Sequence, residues 1–184
     1  LKKVQIPSPE ARLDQYPHEL SGGMRQRIII AISLLADPAI IIADEPTTAL
    51  DVTIQAEIMD LLQELCATEN MGLILITHDL GVVSQVTEKI AVMYAGKIIE
   101  FGATEQVVHT PVHPYTIGLI GSIPGSTAPG EELRQIPGMM PTLSNIPEGC
   151  AFNPRCKLCE PICTQKTPPL EEKQNGIMAA CHMK

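Results

Sequence analysis

Two adjacent carboxylates close an apolar run in Ile40-Ile41-Ile42-Ala43-Asp44-Glu45-Pro46-Thr47, and they are the residues of this chain best suited to metal-assisted hydrolysis. A carboxylate at a strand end can hold the water shell of Mg2+, which suits Asp44 on the buried side of the run. Glu45 comes next and points elsewhere. Upstream, Ser21-Gly22-Gly23 precedes a helical stretch. Glycines let backbone N–H groups approach a phosphate, and the helix start adds partial positive charge. Ser21 adds a hydroxyl donor. Downstream, His78 follows the apolar run Leu73 to Thr77. Each feature also has a plain structural reading. The glycine pair suits a helix-entry turn, Asp-Glu-Pro-Thr a strand-ending turn, and Asp51 a helix cap.

A second chemistry crowds the end of the chain. Cys66 stands alone within a helical stretch and reads as core, whereas Cys150, Cys156, Cys159, Cys163 and Cys181 fall within 32 residues. In a reducing compartment such a group points to metal or cluster ligation rather than disulfides. Cys156-x-x-Cys159 would suit tetrahedral Zn2+, with His182 as a further candidate ligand. Unligated thiols in a flexible tail are the remaining alternative.

The elements that position these residues follow from periodicity and breakers. Asp14 to Glu19 reads as a loop. Met24 to Ala36 is dense enough in apolar residues for a buried helix, stopped by Asp37-Pro38. Ala39 to Ala43 suits a strand buried on both faces. A helix from about Asp51 to Ala67 is expected because Ile54, Ile58, Leu61, Leu62 and Leu65 share one face. A strand at Gly72 to Thr77, a short helix at Asp79 to Val86, and a hairpin of Lys89 to Tyr94 and Lys97 to Phe101 around Ala95-Gly96 complete an α/β layer. Composition changes after Gly102, and prolines and Pro-Gly pairs accumulate between Pro111 and Pro154, so that stretch is expected to be mostly extended loop around one short helix near Tyr115 to Gly121.

Composition sets outer limits. The chain of 184 residues is long enough for one domain or one and a half. Its apolar runs fall short of the roughly 18 residues a membrane span needs. Thirteen basic against twenty-one acidic residues leave a formal charge of −8, which opposes binding to a phosphate backbone, so nucleic acid is not an expected partner. The chain opens at Leu1 with no signal-peptide pattern and reads as an internal piece of a cytosolic protein.

Leu20-Ser21-Gly22-Gly23-Met24-Arg25-Gln26-Arg27, about one helix before Ile40 to Thr47, resembles the signature and Walker B segments of an ATP-binding-cassette ATPase. Ala49-Leu50-Asp51 is similar to the family's D-loop, and His78 in Ile-Thr-His-Asp to its switch histidine. Tyr16-Pro17-His18-Glu19-Leu20, His113-Pro114-Tyr115-Thr116 and Gly149-Cys150-Ala151-Phe152-Asn153-Pro154-Arg155-Cys156 resemble the oligopeptide/dipeptide importer branch. The resemblance implies a partial P-loop NTPase domain of ABC type over 1–103, a Pro-rich His-Pro-Tyr linker over 104–149 and a cysteine-bearing extension over 150–184.

It further implies ATP and Mg2+ as cofactors, with Asp44 on the metal, Glu45 on the attacking water and His78 on the γ-phosphate. Ser21, Gly22, Gly23 and Asp51 would work across a dimer of cassettes. Cys150, Cys156, Cys163 and Cys181 would hold a [4Fe–4S] cluster, with zinc as the alternative and Phe152 and Arg155 packed around them. The implied partners are a second ATPase subunit, identical or a sister, transmembrane permease subunits and, indirectly, an extracytoplasmic solute-binding protein. The implied place is the cytoplasmic face of the membrane. A soluble cassette ATPase without a transporter, or a non-catalytic fragment that pairs with a complete cassette, are the alternatives. Gly-x-x-x-x-Gly-Lys-Ser/Thr occurs nowhere, with Ala91 and Ile98 breaking its nearest approach at Gly96-Lys97. These residues alone are therefore expected to hydrolyse ATP negligibly.

Overall fold

The computed structural model describes residues 1–123 and 135–183. Part of the expected Pro-rich linker, including Pro124-Gly125 and Pro129-Gly130, lies outside the described residues. The backbone groups into two units, Leu1–Asp79 and Leu80–Lys184.

In the first unit a short helix α1 (Pro9–Arg12) precedes α2 (Gly22–Leu34). Ser21 caps α2, its Oγ accepting the Met24 N–H at 3.3 Å. The helix stops where Pro38 bars the α conformation of the residue before it, and Asp37 turns to a φ of 47°. Strand β1 (Ile40–Asp44) lies parallel to β2 (Gly72–Ile76), in register from Ile40 opposite Gly72 to Asp44 opposite Ile76. Between them runs α3 (Val52–Thr68), capped by Asp51, whose carboxylate accepts the Ile54 N–H at 3.0 Å. The stripe expected on α3 is the buried one: Ile58, Leu61, Leu62 and Leu65 are joined by Met59, while Ile54 is half-buried.

Two expectations change here. Strand β1 is buried on one face only: Ile41 and Ala43 are buried, whereas Ile40 and Ile42 are exposed beside the exposed Ile74 and Ile76 of β2. The period of two places these four isoleucines on one side of a two-stranded sheet, and α3 packs against β2 without enclosing that side. The same alternation leaves Asp44 exposed rather than on the buried side. Helix α2, likewise, buries Gly23 and Ile30 while Ile29 and Ile32 stay exposed. Its Ile28–Ile32 run is apolar on more than one face, and among the described residues its main packing is against α3 and the turn at Lys2–Val4.

In the second unit α4 (Leu80–Val86) leads to the antiparallel hairpin β3 (Lys89–Tyr94) and β4 (Lys97–Ala103). Ala95 and Gly96 turn it with φ values of 47° and 78°, the left-handed pair that matches strand twist. Two further helices follow, α5 (Thr104–His109) and α6 (Pro114–Ile120). The terminal region then adds β5 (Glu171–Glu172) and β6 (Met178–Ala179), giving the sheet order β3-β4-β6-β5. Strand β6 pairs Ala179 with Glu100 and Met178 with Phe101, and the Ala180 N–H reaches the Ile99 carbonyl at 2.8 Å. Among the described residues between Pro111 and Pro154, α6 stands where one short helix was expected and the rest is loop up to a single 3-10 turn at Asn153–Arg155; the added strands lie beyond that stretch. The composition changes after Gly102, but the hairpin and the cysteine-bearing segment share one sheet and one core, which contains Val92, Tyr94, Ile99, Val107, Phe152 and Ile177.

At the centre of this unit lies a charged residue. Glu100 is fully buried, and its two carboxylate oxygens accept the N–H groups of Val112 at 2.7 Å and His113 at 3.0 Å. Those donors stand at the entry to α6, where Pro114 fills the first turn and His113 is the cap, its Nδ1 accepting the Tyr115 N–H at 3.0 Å. Hydrogen bonds to charged groups contribute about 1.5–3 kcal/mol each, and an amide in place of the carboxylate sets an NH2 against one of the donors. Glu100→Gln should lower unfolding stability in urea by about 1.5–3 kcal/mol; an unchanged midpoint would contradict the clasp.

Candidate functional site

In the first unit the chain leaves β1 abruptly. Glu45 adopts a φ of 43°, a left-handed conformation that costs a non-glycine residue about 1–3 kcal/mol and persists only when its surroundings hold it. Its N–H is tied to the Ile76 carbonyl of β2 at 2.8 Å. That twist brings the carboxylate to His78, just past the end of β2, with His78 Nδ1 3.1 Å from Glu45 Oε1. On the other side the Thr48 hydroxyl donates to Glu45 Oε2 at 2.9 Å. The Thr48 bond, and after it the His78 bond, hold the Glu45 carboxyl below the usual carboxylate range. Both oxygens are thus engaged, and each keeps a lone pair for a water. Thr48 was not singled out from the sequence, although its place three residues past Glu45 in a turn is where a hydroxyl folds back.

The glycines of the Ser21-Gly22-Gly23 segment have a packing reason of their own. A Cβ at Gly22 would lie 3.0 Å from Leu50 Cδ2, and one at Gly23 would lie 2.8 Å from Ile54 Cγ2. The start of α2 therefore presses on the segment that carries Asp51. Arg25 steadies this start by donating to the Leu20 carbonyl at 2.6 Å. Ser21 and Asp51 both act as helix caps. The Ser21 hydroxyl accepts in that bond, which leaves its proton for another acceptor. Asp44 stands exposed at the end of β1, next to Glu45.

In the second unit Cys150, Cys156, Cys163 and Cys181 line one small cavity with His113 and His182. Cys159 is exposed and outside that lining, its Sγ 3.7 Å from the Glu160 carbonyl. The Cys150 N–H donates to the Cys163 carbonyl at 2.8 Å, and the preceding Gly149, at φ 76°, lies where a Cβ would overlap that same carbonyl. Burial pushes the thiols of Cys150, Cys156 and Cys181 up, and neighbouring thiols add to the shift. The cavity encloses about 10 Å³, and among the described residues no three His, Cys, Asp or Glu groups converge on a point that would hold a single ion. His182 Nε2 is 2.8 Å from the Lys166 carbonyl.

An aromatic cluster frames this cavity. Phe152 stacks edge-on against Tyr94 at 5.4 Å and Tyr115 at 5.5 Å, and its ring is 5.9 Å from His113. The Arg155 guanidinium lies 5.9 Å from the Phe152 centroid, and Arg155 donates to the Tyr94 hydroxyl at 3.2 Å and to the Pro137 and Ile136 carbonyls. Burial depresses the His113 pKa to about 4, so its imidazole is neutral at physiological pH. Glu100 and Tyr94, which hold this frame from the hairpin, carried no functional signal in the sequence; each reads as an ordinary strand residue.

The fold is that of part of a cassette domain of the ABC class. The pattern described as "ABC transporter" matches residues 1–48. A solved cassette, cbiO1 of Clostridium perfringens from the ABC transporter complex cbiONQ, is 34% identical with a TM-score of 0.54, over 60% of this chain and 43% of that one. Within that class the chain belongs to the oligopeptide/dipeptide branch, because the pattern described as "Oligopeptide/dipeptide transporter, C-terminal region" matches residues 99–163. The oligopeptide transport ATP-binding protein OppD of Salmonella typhimurium is 50% identical over 98% of this chain and 54% of its own length. The dipeptide transport ATP-binding protein DppD of Escherichia coli is 48% identical over 99% of this chain and 56% of its own length. The chain thus spans about half the length of the curated relatives it matches.

Two outcomes follow from the geometry of the first unit. Thr48→Ala removes the leading cause of the depressed Glu45 pKa, so the titration of that carboxyl, followed by carbon NMR, should move up toward the ordinary glutamate range; an unmoved titration would contradict the hydrogen bond. Gly23→Ala should cost about 1–3 kcal/mol of unfolding free energy through overpacking against Ile54, and a neutral effect would show that the approach is looser than drawn.

Proposed function

We propose that this chain forms part of an ATP-binding and ATP-hydrolysing subunit that energises import of dipeptides, oligopeptides or related solutes. The observation that carries the reading is the Glu45–His78 pair at 3.1 Å, formed at the ends of two parallel strands. In this reading Glu45 orients and deprotonates the attacking water, His78 holds Glu45 and meets the γ-phosphate, and Asp44 holds the water shell of Mg2+. Ser21, Gly22 and Gly23 serve a nucleotide bound by a second cassette, identical or a sister subunit, and Asp51 couples the two sites. The Gly23 contact with Ile54 supports that coupling, since the start of α2 and the Asp51 segment cannot shift independently. The work of closure passes to transmembrane permease subunits at the cytoplasmic face of the membrane, served from outside by a solute-binding protein. No described helix is long and apolar enough to cross a membrane. In the organisation we assign, 1–103 belongs to the cassette, 104–149 is the His-Pro-Tyr linker and 150–184 the cysteine extension.

Cys150, Cys156, Cys163 and Cys181 hold, in the same reading, a [4Fe–4S] cluster that crosslinks the extension, with zinc as the alternative. Four thiols on one cavity wall are the donor set such a cluster takes. A single zinc ion would take the same thiolates in tetrahedral geometry.

In a protein that includes a phosphate-binding loop, Glu45→Gln should reduce Mg2+-dependent ATP hydrolysis by about 10²–10⁴-fold, and turnover within twofold of the parent would contradict the role of Glu45. The 184 residues alone should show negligible turnover, and robust hydrolysis by them would overturn the account of the missing loop. Anaerobically purified protein should carry iron and sulfide with visible thiolate-to-iron absorbance; stoichiometric zinc without iron would sink the cluster assignment.

A further inference from the structure

The turn that carries the chain from Glu45 into α3 is short and bent against its preference. Glu45 and Ala49 both adopt left-handed backbone, with φ values of 43° and 64°, a conformation that persists only where neighbouring contacts hold it. Two backbone bonds close the turn, from the Thr48 N–H to the Glu45 carbonyl at 3.1 Å and from the Leu50 N–H to the Thr47 carbonyl at 3.2 Å. A third contact comes from outside it. Gln55, half-buried in the first turn of α3, reaches back eight residues and donates from Nε2 to the same Thr47 carbonyl at 3.1 Å. A carbonyl can only accept, so the amide nitrogen is the atom that faces it, and the two donors fill both lone pairs of the Thr47 oxygen. Packing from the start of α2 flanks this contact: Leu50, at the end of the turn, lies against Gly22, and Ile54, beside Gln55, lies against Gly23.

We propose that Gln55 is a positioning residue for Glu45: by clamping the Thr47 carbonyl it ties the Glu45–Leu50 turn to the start of α3 and so keeps the Thr48 hydroxyl on the Glu45 carboxylate. The inference rests on the reading of Glu45 as the group that orients the attacking water. The route is one peptide long. The Thr47 carbonyl and the Thr48 N–H belong to the same planar peptide, so fixing the first fixes the direction of the second. That N–H, together with the Thr48 hydroxyl 2.9 Å from Oε2, holds Glu45 by its backbone and its side chain at once. With Oε2 held there, Oε1 stands at His78. Rotation of the Thr47–Thr48 peptide would break both Thr48 contacts, and the Gln55 clamp opposes that rotation. Misplacing a reacting group by about 1 Å can cost on the order of 10²-fold in rate, so a contact at this remove from the carboxylate bears on turnover.

Methionine keeps the length and helix preference of glutamine but offers no donor. In the 184-residue chain, Gln55→Met should speed amide hydrogen exchange at Thr48 and Leu50 by about tenfold, the loss of roughly one hydrogen bond, while Leu61 and Leu65 inside α3 keep the parent's rates. Unchanged exchange at Thr48 and Leu50 would overturn the clamp. Equal acceleration along α3 would overturn it too, since Gln55 would then be a general stabiliser of the helix. In a protein that joins these residues to a phosphate-binding loop, Gln55→Met should lower kcat for ATP by about 10–100-fold with KM little changed. Added to Thr48→Val, which removes the hydroxyl and keeps the shape, it should lower kcat far less than it does alone, because both changes act on one contact; full additivity would contradict the route through Thr48. Glu45→Gln separates the proposal from the reading beneath it. A parent-like kcat in Gln55→Met, beside a Glu45→Gln protein that has lost turnover, would overturn the proposal alone. Parent-like turnover in Glu45→Gln would overturn the reading of Glu45 and the proposal with it.

Discussion

Burying the Glu100 carboxylate takes a charge out of water, and that cost is offset only because two backbone N–H groups close on its two oxygens. The second unit is organised around this exchange. The same contact that satisfies Glu100 fixes the backbone of Val112 and His113, and so fixes where α6 begins. With α6 in place, Tyr115 meets Tyr94 and Phe152, and Phe152 brings the Gly149–Cys156 segment onto the hairpin. Of five Tyr and Phe residues in the chain, three stand in this cluster, so the aromatic surface of a chain poor in it is spent at one place. The cysteine-bearing segment is therefore framed by a hydrophobic core and a sheet edge, in addition to whatever its thiols bind.

The first unit is governed by close approach. Gly22 and Gly23 let the start of α2 press on Leu50 and Ile54, and the left-handed turn at Glu45 redirects a side chain that the strand would otherwise keep in line with β1. Strain at Glu45 is held by its N–H bond to Ile76 and by the Thr48 and His78 contacts. Exposed isoleucines on the second face of β1 and β2 form the kind of apolar surface that parallel strands ordinarily keep covered.

Much of this was legible in the sequence. The Ile58–Leu65 stripe gave α3 its buried face, Asp37-Pro38 marked the end of α2, and Ala95-Gly96 marked the hairpin, because each rests on local spacing or local backbone preference. The family resemblance singled out Glu45 and His78 separately, but not their meeting across 33 residues of sequence. What could not be read were the non-local partners. Nothing near Glu100 announces that its carboxylate will receive backbone donors twelve and thirteen residues away, and nothing near Met178 announces a two-residue strand added to β4. The one-faced burial of β1 escaped as well, because a short apolar run looks alike whether one or both of its faces are covered.

Amide hydrogen exchange at Val112 and His113 tests the central claim, that the Glu100 clasp binds the His-Pro-Tyr turn and the cysteine segment into one cooperative unit. The account predicts that these two amides, although they lie outside any strand or helix interior, exchange as slowly as that of Ala180 on the sheet and open with it under increasing urea. Exchange at the rate of an open loop, with Ala180 still protected, would contradict it.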